Sequence, residues 1–474
     1  MTEALGVTVM PEWFACEGID AVLDRLQMLG ATALATSPYV MELGAPDHGS
    51  REPPADGDAG KVRPLDRDLW GHRELWVRTA PSLVHDLARY EGLRYQPLPP
   101  TALTMSQHDL IDRVCVAANA RGMNVYLQVM AASPPGYRVQ FAGSRDEDQC
   151  FGPTGPAHRD RVDRNASLAS THVVAYTAAL VAELATRYPG VTGIRLDWPE
   201  YPPYDLRSAL FDFNPAMRAL LTQRGADPER VRTDVMAWSD AVRAAATRAA
   251  PRGPGVVLSA LQGAGWDALT TDHGPLAMLF AAKKAAARAL LAQCRMALDA
   301  VPGTRRRLEP QFFPPPFQQI SGGPLDAMAG IADAIGVKLY TMHWPMLARY
   351  WARDLIGTAD PVHLDAVTAA VAKLFDLTDE LDHDGRRLHY PEPHEAHPVG
   401  TKAQHDKIVT ARAMARTVPV RAFVHSYGTI DDVVARFAIA ANAGGPLWIN
   451  RYGYLSDAKI AALASVAPAS ATGR

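Results

Sequence analysis

The stretch TGIRLDWPEYPPY, residues 192–204, indicates both the fold of this chain and the place of its chemistry. It begins as an apolar strand and ends in Asp197, Trp198 and Glu200, followed by a cluster of prolines and tyrosines. A buried strand is normally bounded by small or turn-forming residues such as Gly, Asn or Ser. Two carboxylates among aromatic side chains at a strand end therefore indicate a site for chemistry.

Further strand-like runs recur along the chain, separated by helical stretches whose apolar residues repeat every three or four positions. With the stretch above, the runs are GVTVMPEWF (6–14), ATALATSPYV (31–40), MNVYLQVMA (123–131), GIRLD (193–197), RRRLEPQFFPPPF (305–317), IGVKLYTMHWP (335–345), VRAFVHSYG (420–428) and PLWINRYG (446–453). This alternation predicts parallel βαβ units, and eight of them predict an α/β fold, the closed (β/α)8 or TIM barrel. We assign VVLSAL, residues 256–261, to a helical crossover, because removing it leaves eight strands.

Three long connections follow strands, at about residues 41–105, 132–168 and 345–418. The first is rich in Pro, Gly and Asp, which is typical of a surface excursion. Segments that follow barrel strands lie at the C-terminal face, where barrel enzymes build their sites. We expect residues 1–474 to form one elaborated barrel domain with these insertions, and residues 465–474 to form a disordered tail.

The composition argues against several functional classes. The formal net charge is -3 at pH 7, whereas nucleic acids and anionic membranes are bound by positively charged surfaces. Four dispersed cysteines without CxxC spacing predict free thiols in a reducing compartment. Because neither a signal-peptide pattern nor an apolar run of membrane-spanning length occurs, we expect a cytoplasmic, soluble protein. The oligomeric state stays open.

The residues at the predicted strand ends describe a pocket for a carbohydrate or glycoside. Aromatic faces stack on the C–H faces of sugars, while amides and acids bind hydroxyl groups. The candidate substrate-binding residues are Glu12, Trp13, Tyr39, Gln128, Arg195, Trp198, Tyr201, Gln311, Tyr340, His343, Trp344, His425, Tyr427, Asn450, Arg451 and Tyr452.

Three acids are candidate catalytic residues, because glycosidases place two carboxylates on either side of the scissile bond. Asp197 is the first, and Arg195 leaves the same side of its strand, either to keep the carboxylate ionised or as a structural pair. Glu309 lies on the next strand and is either its partner or a buried structural acid low in the barrel. Glu200 competes for the same role, with a loop acid that caps a backbone amide or faces water as the alternative.

The fourth strand resembles two groups of barrel enzymes. In the α-amylase superfamily it reads G-F-R-x-D, and GIRLD at residues 193–197 keeps the Arg-to-Asp spacing. In the glycoside-hydrolase-like (β/α)8 barrel families it reads D-G-I-x-L-D-x-x-x-Y-P, and residues 192–202 match more closely, with Thr192 in place of the acid. α-Amylases also expect Asn-His-Asp at the seventh strand, where this chain has VHSYG. The resemblance implies a retaining or inverting carboxylate mechanism with Asp197 as a catalytic residue, and it identifies no sugar.

Three functions stay open, because one barrel hosts many chemistries. We favour a glycoside hydrolase or closely related enzyme with two carboxylates facing each other across the pocket. A metal-dependent sugar isomerase or lyase would instead bring Glu12, Asp197, Glu309 and His343 to one point. A barrel that binds carbohydrate without turnover would keep a single unpaired carboxylate. We expect no metal and no other cofactor, since the HEAH of residues 394–397 lacks the HExxH spacing and no glycine-rich nucleotide motif occurs.

Overall fold

Eight parallel strands close into a barrel in the computed structural model, which describes residues 4–55, 62–138, 143–158, 162 and 165–466. Each strand pairs with its neighbours in sequence, and the first pairs with the last. The barrel strands, β1 to β8, are Leu5–Thr8, Ala33–Thr36, Asn124–Met130, Gly193–Asp197, Arg307–Phe312, Ile335–Leu339, Val420–His425 and Leu447–Asn450. The predicted (β/α)8 barrel is thereby confirmed, including all eight predicted strands.

Helices surround the barrel and bury their apolar faces against the strands. Their bounds are Pro11–Glu17, Ile19–Met28, Ala102–Gln107, Leu110–Ala120, Thr171–Arg187, Leu206–Ala209, Pro215–Gln223, Pro228–Ala249, Pro254–Gly263, Ala277–Asp299, Phe317–Ser321, His343–Ile356, Pro361–Leu374, Thr401–Ala415, Ile430–Asn442 and Asp457–Ala464. The run VVLSAL lies in the helix Pro254–Gly263, as expected. Pro254 is suited to the first turn of this helix, because a backbone N–H there has no partner within the helix. Among the described helices, none combines the length and the apolarity that a membrane crossing requires.

The insertions after β2 and β3 carry small antiparallel sheets. Tyr39–Leu43 pairs with Leu75–Pro81, which in turn pairs with Ser50–Glu52. A hairpin of Phe151–Gly152 and Gly155–Pro156 lies in the second insertion. The third insertion is largely helical. Most of the predicted tail, residues 467–474, lies outside the described residues.

Two predicted strand ends are helices instead. β1 stops at Thr8, and Glu12 and Trp13 lie in the helix Pro11–Glu17, because Pro11 fixes a φ suited to a helix start. His343 and Trp344 likewise begin the helix that follows β6. Trp344 is buried rather than exposed.

A layer of charged and aromatic side chains fills the barrel interior. The Arg195 guanidinium lies 3.5 Å from Oε2 of Glu309, and that of Arg421 lies 2.9 Å from Oε1 of the same acid. The guanidinium carbon of Arg195 is 3.6 Å from the ring centroid of Trp448. Arg195 and Asp197 do leave the same side of β4, but two residues of strand separate them by roughly 6.6 Å. Arg195 therefore pairs with Glu309, one layer below the strand ends.

Candidate functional site

A cavity of about 390 Å³ opens at the C-terminal end of the barrel. Predicted residues that line it are Gln128, Asp197, Trp198, Tyr340, His343, His425, Tyr427, Asn450 and Arg451. Predicted residues that lie outside its lining are Glu12, Trp13, Tyr39, Arg195, Glu200, Tyr201, Glu309, Gln311, Trp344 and Tyr452. The cavity therefore lies where strand ends were expected to meet, with about half of the expected residues.

Asp197 ends β4 and is held by neighbours from two other strands. Nε2 of Gln128 donates to its Oδ2 over 3.4 Å, and Nζ of Lys338 donates to its Oδ1 over 3.4 Å. Gln311 stands behind Gln128, donating from Nε2 to Oε1 over 3.3 Å. The side chain of Asp197 is 15% exposed, and it is the one carboxylate that the described residues contribute to the lining. The geometry fixes its orientation toward the cavity.

Glu200 is fully buried and serves the structure around Asp197. Its oxygens accept from the backbone N–H of Phe313 at 3.0 and 3.1 Å, from Oγ of Ser321 at 2.7 Å and from Nζ of Lys338 at 2.8 Å. Burial raises the pKa of Glu200, and the Lys338 ammonium opposes this rise. A carboxylate with this many donors is occupied by the protein. Glu200 is therefore neither the water-facing loop acid nor a group that lines the cavity.

A second buried acid, Glu12, lies behind the cavity wall. Tyr39 donates its hydroxyl to Oε2 of Glu12 over 2.9 Å, and Nη1 of Arg138 lies 3.5 Å from Oε1. Burial raises the pKa of Glu12 to about 7, which Arg138 opposes and neighbouring Glu52 reinforces. Of these four residues, Arg138 is the one that lines the cavity.

Two lining residues have a left-handed backbone conformation. Trp198, directly after β4, has φ 51°, and Arg451, directly after β8, has φ 73°. Such a conformation costs a non-glycine residue about 1–3 kcal/mol and persists where the surrounding structure imposes it, often at functional sites. Three other described non-glycine residues have a positive φ, namely Trp70, Asp376 and Arg416, and they lie outside the lining of the cavity.

Aromatic rings form much of the wall. The ring of His343 lies 5.7 Å from Tyr204, 6.0 Å from Tyr340 and 5.8 Å from Tyr390, centroid to centroid. His425 accepts the backbone N–H of Tyr427 at Nδ1 over 3.0 Å. Burial, with a smaller contribution from Arg451, lowers the pKa of His425 well below its ordinary value. The neutral ring therefore carries its proton on Nε2.

Residues from the insertions complete the lining, and the sequence reasoning missed several of them. Tyr137 and Arg138 follow β3, and Tyr390 belongs to the third insertion. The hydroxyl of Tyr137 is hydrogen-bonded to buried His85, whose Nδ1 lies 2.6 Å from Oε2 of Glu183. No pattern in an irregular loop predicts such contacts. Lys338 is buried, lies outside the lining and contacts Asp197. This residue could have been predicted from the sequence, because a lysine near the end of a barrel strand is a candidate partner for the acid.

The four residues that the isomerase hypothesis requires as metal ligands, Glu12, Asp197, Glu309 and His343, do not meet at one point. Glu309 is bound by two arginines inside the barrel, and Glu12 by Tyr39 and Arg138. Within the described ranges, no three or more His, Cys, Asp or Glu side chains are grouped so as to hold a metal ion. The geometry gives that hypothesis no support.

Comparisons of the sequence and of the structure with known proteins gave different results. No protein-family model and no curated sequence matches the chain. Among solved structures, it is similar to a β-galactosidase from the psychrophilic Marinomonas ef1, with TM-score 0.48 and 12% identity, over 95% of this chain and 54% of that one. It is also similar to the catalytic domain of β-amylase from Paenibacillus polymyxa, with TM-score 0.47 and 10% identity, over 99% and 100% of the two chains.

A third similar structure is a noncanonic maltogenic α-amylase, AmyB from Thermotoga neapolitana, with TM-score 0.39 and 9% identity, over 95% of this chain and 67% of that one. This chain spans about half the length of the β-galactosidase. All three structures are glycoside hydrolases. At these identities and TM-scores the likeness carries no argument about this chain, and the (β/α)8 barrel rests on its own strand pairing.

Proposed function

We propose that the protein is a carbohydrate-active enzyme, a glycoside hydrolase, that binds a sugar in the cavity and uses Asp197 on the glycosidic bond. One observation carries the proposal: the carboxylate of Asp197 lies at the end of β4 in the lining of a cavity whose wall also holds aromatic rings. Carboxylates act on anomeric centres, and aromatic faces stack on sugars.

The neighbours of Asp197 support a working role for it. Gln128 and Lys338 restrict its orientation from two sides, and positioning of this kind is what a reacting group requires. Trp198, Tyr204 and Tyr340 line the same cavity and supply apolar area for a sugar ring. In this proposal Lys338 positions Asp197 and places a positive charge beside it.

A barrel that binds carbohydrate without turnover is the second candidate, and the positions of Glu200 and Glu309 favour it. Most glycosidases need two carboxyl groups that flank the bond. Glu200 is fully buried, Glu309 is 1% exposed, and both are bound by other protein groups. In the hydrolase proposal the proton donor that assists Asp197 is therefore a group other than these two acids.

The test combines turnover and binding on the same protein. A panel of 4-nitrophenyl glycosides and oligosaccharides is assayed with the wild type and Asp197→Asn. The matched control is Asp365→Asn, whose side chain is also 15% exposed and pairs with Arg349 at 2.9 Å, outside the cavity. We expect the wild type and the control to hydrolyse a common substrate, and Asp197→Asn to lose activity by orders of magnitude.

Titration calorimetry with the same sugars separates the two candidates. Binding without any hydrolysis would replace the enzyme proposal with the binding proposal. Hydrolysis that survives in folded Asp197→Asn would remove Asp197 from the reaction. A protein that neither binds nor cleaves any sugar in the panel contradicts both candidates.

A further inference from the structure

Two arginines, Arg138 and Arg451, contact the same acid, Glu52, at the wall of the cavity. Nη1 of Arg138 lies 3.0 Å from Oε2 of Glu52, and its Nη2 lies 3.4 Å from Oε1. Nη1 of Arg451 lies 3.5 Å from that same Oε1. Both arginines line the cavity, whereas Glu52 is 4% exposed in its side chain. The carboxylate is thus held mainly by Arg138, and Arg451 shares it at longer distance.

The charges of this cluster do not balance within it. Two guanidinium groups meet one carboxylate in Glu52, and Arg138 also touches Glu12 at 3.5 Å. Because burial raises the pKa of Glu12 to about 7, Glu12 supplies only part of a negative charge near neutral pH. Among these four described side chains, those of Arg138, Arg451, Glu52 and Glu12, positive charge exceeds negative charge.

Arg451 keeps donors available to a ligand. Its side chain is 28% exposed, and in the described part of the chain its guanidinium makes the one ion pair, to Glu52. A guanidinium has five N–H donors in a planar fork that suits oxyanions. The backbone is fixed by Oγ of Ser426, which donates to the carbonyl of Arg451 over 2.5 Å. The left-handed φ of 73° thus belongs to a residue whose main chain is anchored.

Asp197 and Arg451 act on the same part of the cavity. Burial raises the pKa of Tyr340 well above its ordinary value, the charge of Asp197 adds to this rise, and that of Arg451 opposes it. The Tyr340 phenol therefore lies within the field of both groups. A sugar held against Tyr340 has a carboxylate and a guanidinium within its surroundings.

We propose that the sugar bound in this cavity carries an oxyanion, either a uronate carboxylate or a phosphate ester, and that the guanidinium of Arg451 binds it. Charge-assisted bonds from arginine to carboxylate or phosphate are strong and directional. The inference rests on the proposed function, in that the cavity must first bind a sugar.

The test measures affinities within matched sets of sugars. Titration calorimetry compares D-glucose with D-glucuronate and D-glucose 6-phosphate, and repeats this for the galactose and mannose sets. We expect one anionic member to bind at least about 10-fold more tightly than its neutral parent. The preference is expected to shrink at high salt, because part of the attraction is screened. Whether the uronate or the phosphate is preferred identifies the oxyanion.

Variants assign the preference to its residue. Arg451→Gln is expected to abolish the preference for the anionic sugar over its neutral parent, and Arg451→Lys to retain part of that preference. The matched control is Arg349→Gln, which removes an arginine of 32% side-chain exposure paired with Asp365 and leaves the cavity intact. This control is expected to keep the full preference.

Each contrary outcome has its own meaning. Equal binding of neutral and anionic sugars overturns this inference and leaves the proposed function standing. Equal weakening of neutral and anionic sugars in Arg451→Gln also overturns it, because Arg451 would then support the cavity rather than bind the anion. Absence of binding by all the sugars overturns the inference and the proposed function together.

Discussion

The ammonium nitrogen of Lys338 lies 2.8 Å from Oε1 of Glu200, and both side chains are buried behind the cavity. Each charge removed from water alone would be costly, so the two groups depend on each other. The same ammonium lies 3.4 Å from Oδ1 of Asp197, which does reach the cavity. Lys338 thus occupies the position beside Asp197 that the sequence spacing suggested for Arg195.

Removal of the Lys338 charge tests this dependence. Lys338→Met leaves Glu200 buried without its cation, and we expect the free energy of unfolding to fall by about 3–5 kcal/mol. The double variant Lys338→Met with Glu200→Gln is expected to recover part of this loss, because no unpaired charge remains between the two sites. Urea unfolding of both single variants and the double variant measures the coupling. A double variant whose loss equals the sum of the single losses would contradict it.

The fold was readable from the sequence because its signals are periodic. Strands such as IGVKL in β6 and VRAFVH in β7 are short, β-branched and separated by amphipathic helices, and each was found where expected. The error at Glu12 had a local cause. Pro11 starts a helix only two residues after the four-residue strand ends, and the apolar residues continue across this boundary.

The site was harder to predict from the sequence than the fold. The alternation of a strand shows which face of the sheet a side chain is on, but not how far along the barrel axis it lies. Arg195 and Asp197 share a side, yet one pairs with Glu309 inside the barrel and the other reaches the cavity. Arg138 and Tyr390 come from insertions, and their position depends on tertiary contacts that no periodicity encodes.

Glu12 predicts a pH dependence of stability. Its pKa is about 7 in the folded protein because of burial, compared with 4.5 as the ordinary value. Between these values the unfolded chain loses the proton while the folded protein keeps it, so stability falls as pH rises from 4.5 through 7. Glu12→Gln lacks this titration, and its stability relative to the wild type is expected to improve over that interval.

Urea unfolding at pH 5, 6, 7 and 8 measures the effect at Glu12. The control is Glu91→Gln, which makes the same substitution at an exposed position. A difference between Glu12→Gln and the wild type that is the same at all four pH values would show that Glu12 titrates alike in the folded and unfolded states.

Lys407 predicts a dependence of the opposite sign, away from the cavity. Its buried Nζ donates to the backbone carbonyls of Pro315 at 3.0 Å and Phe375 at 2.8 Å. Burial lowers the pKa of Lys407 from 10.5 to about 7, and Asp376 and Asp406 only partly oppose this. Between pH 7 and 10.5 the unfolded chain holds a proton that the folded protein has released, so stability rises with pH.

Lys407→Met removes this titration and both hydrogen bonds. The loss of the two hydrogen bonds lowers the free energy of unfolding of the variant by the same amount at every pH. The buried charge of Lys407 lowers the free energy of unfolding of the wild type most at pH 7 and below. We therefore expect the free energy of unfolding of the wild type to increase relative to that of Lys407→Met as pH rises from 7 to 9.5. Urea unfolding at steps of half a pH unit measures this difference. Lys373→Met, whose lysine is half-buried and bonded to the carbonyl of Asp379 at 2.7 Å, serves as control. A wild-type advantage that is flat over this range, or that falls, would mean that Lys407 stays protonated in the folded protein, and that its two carbonyl partners suffice to hold a buried ammonium.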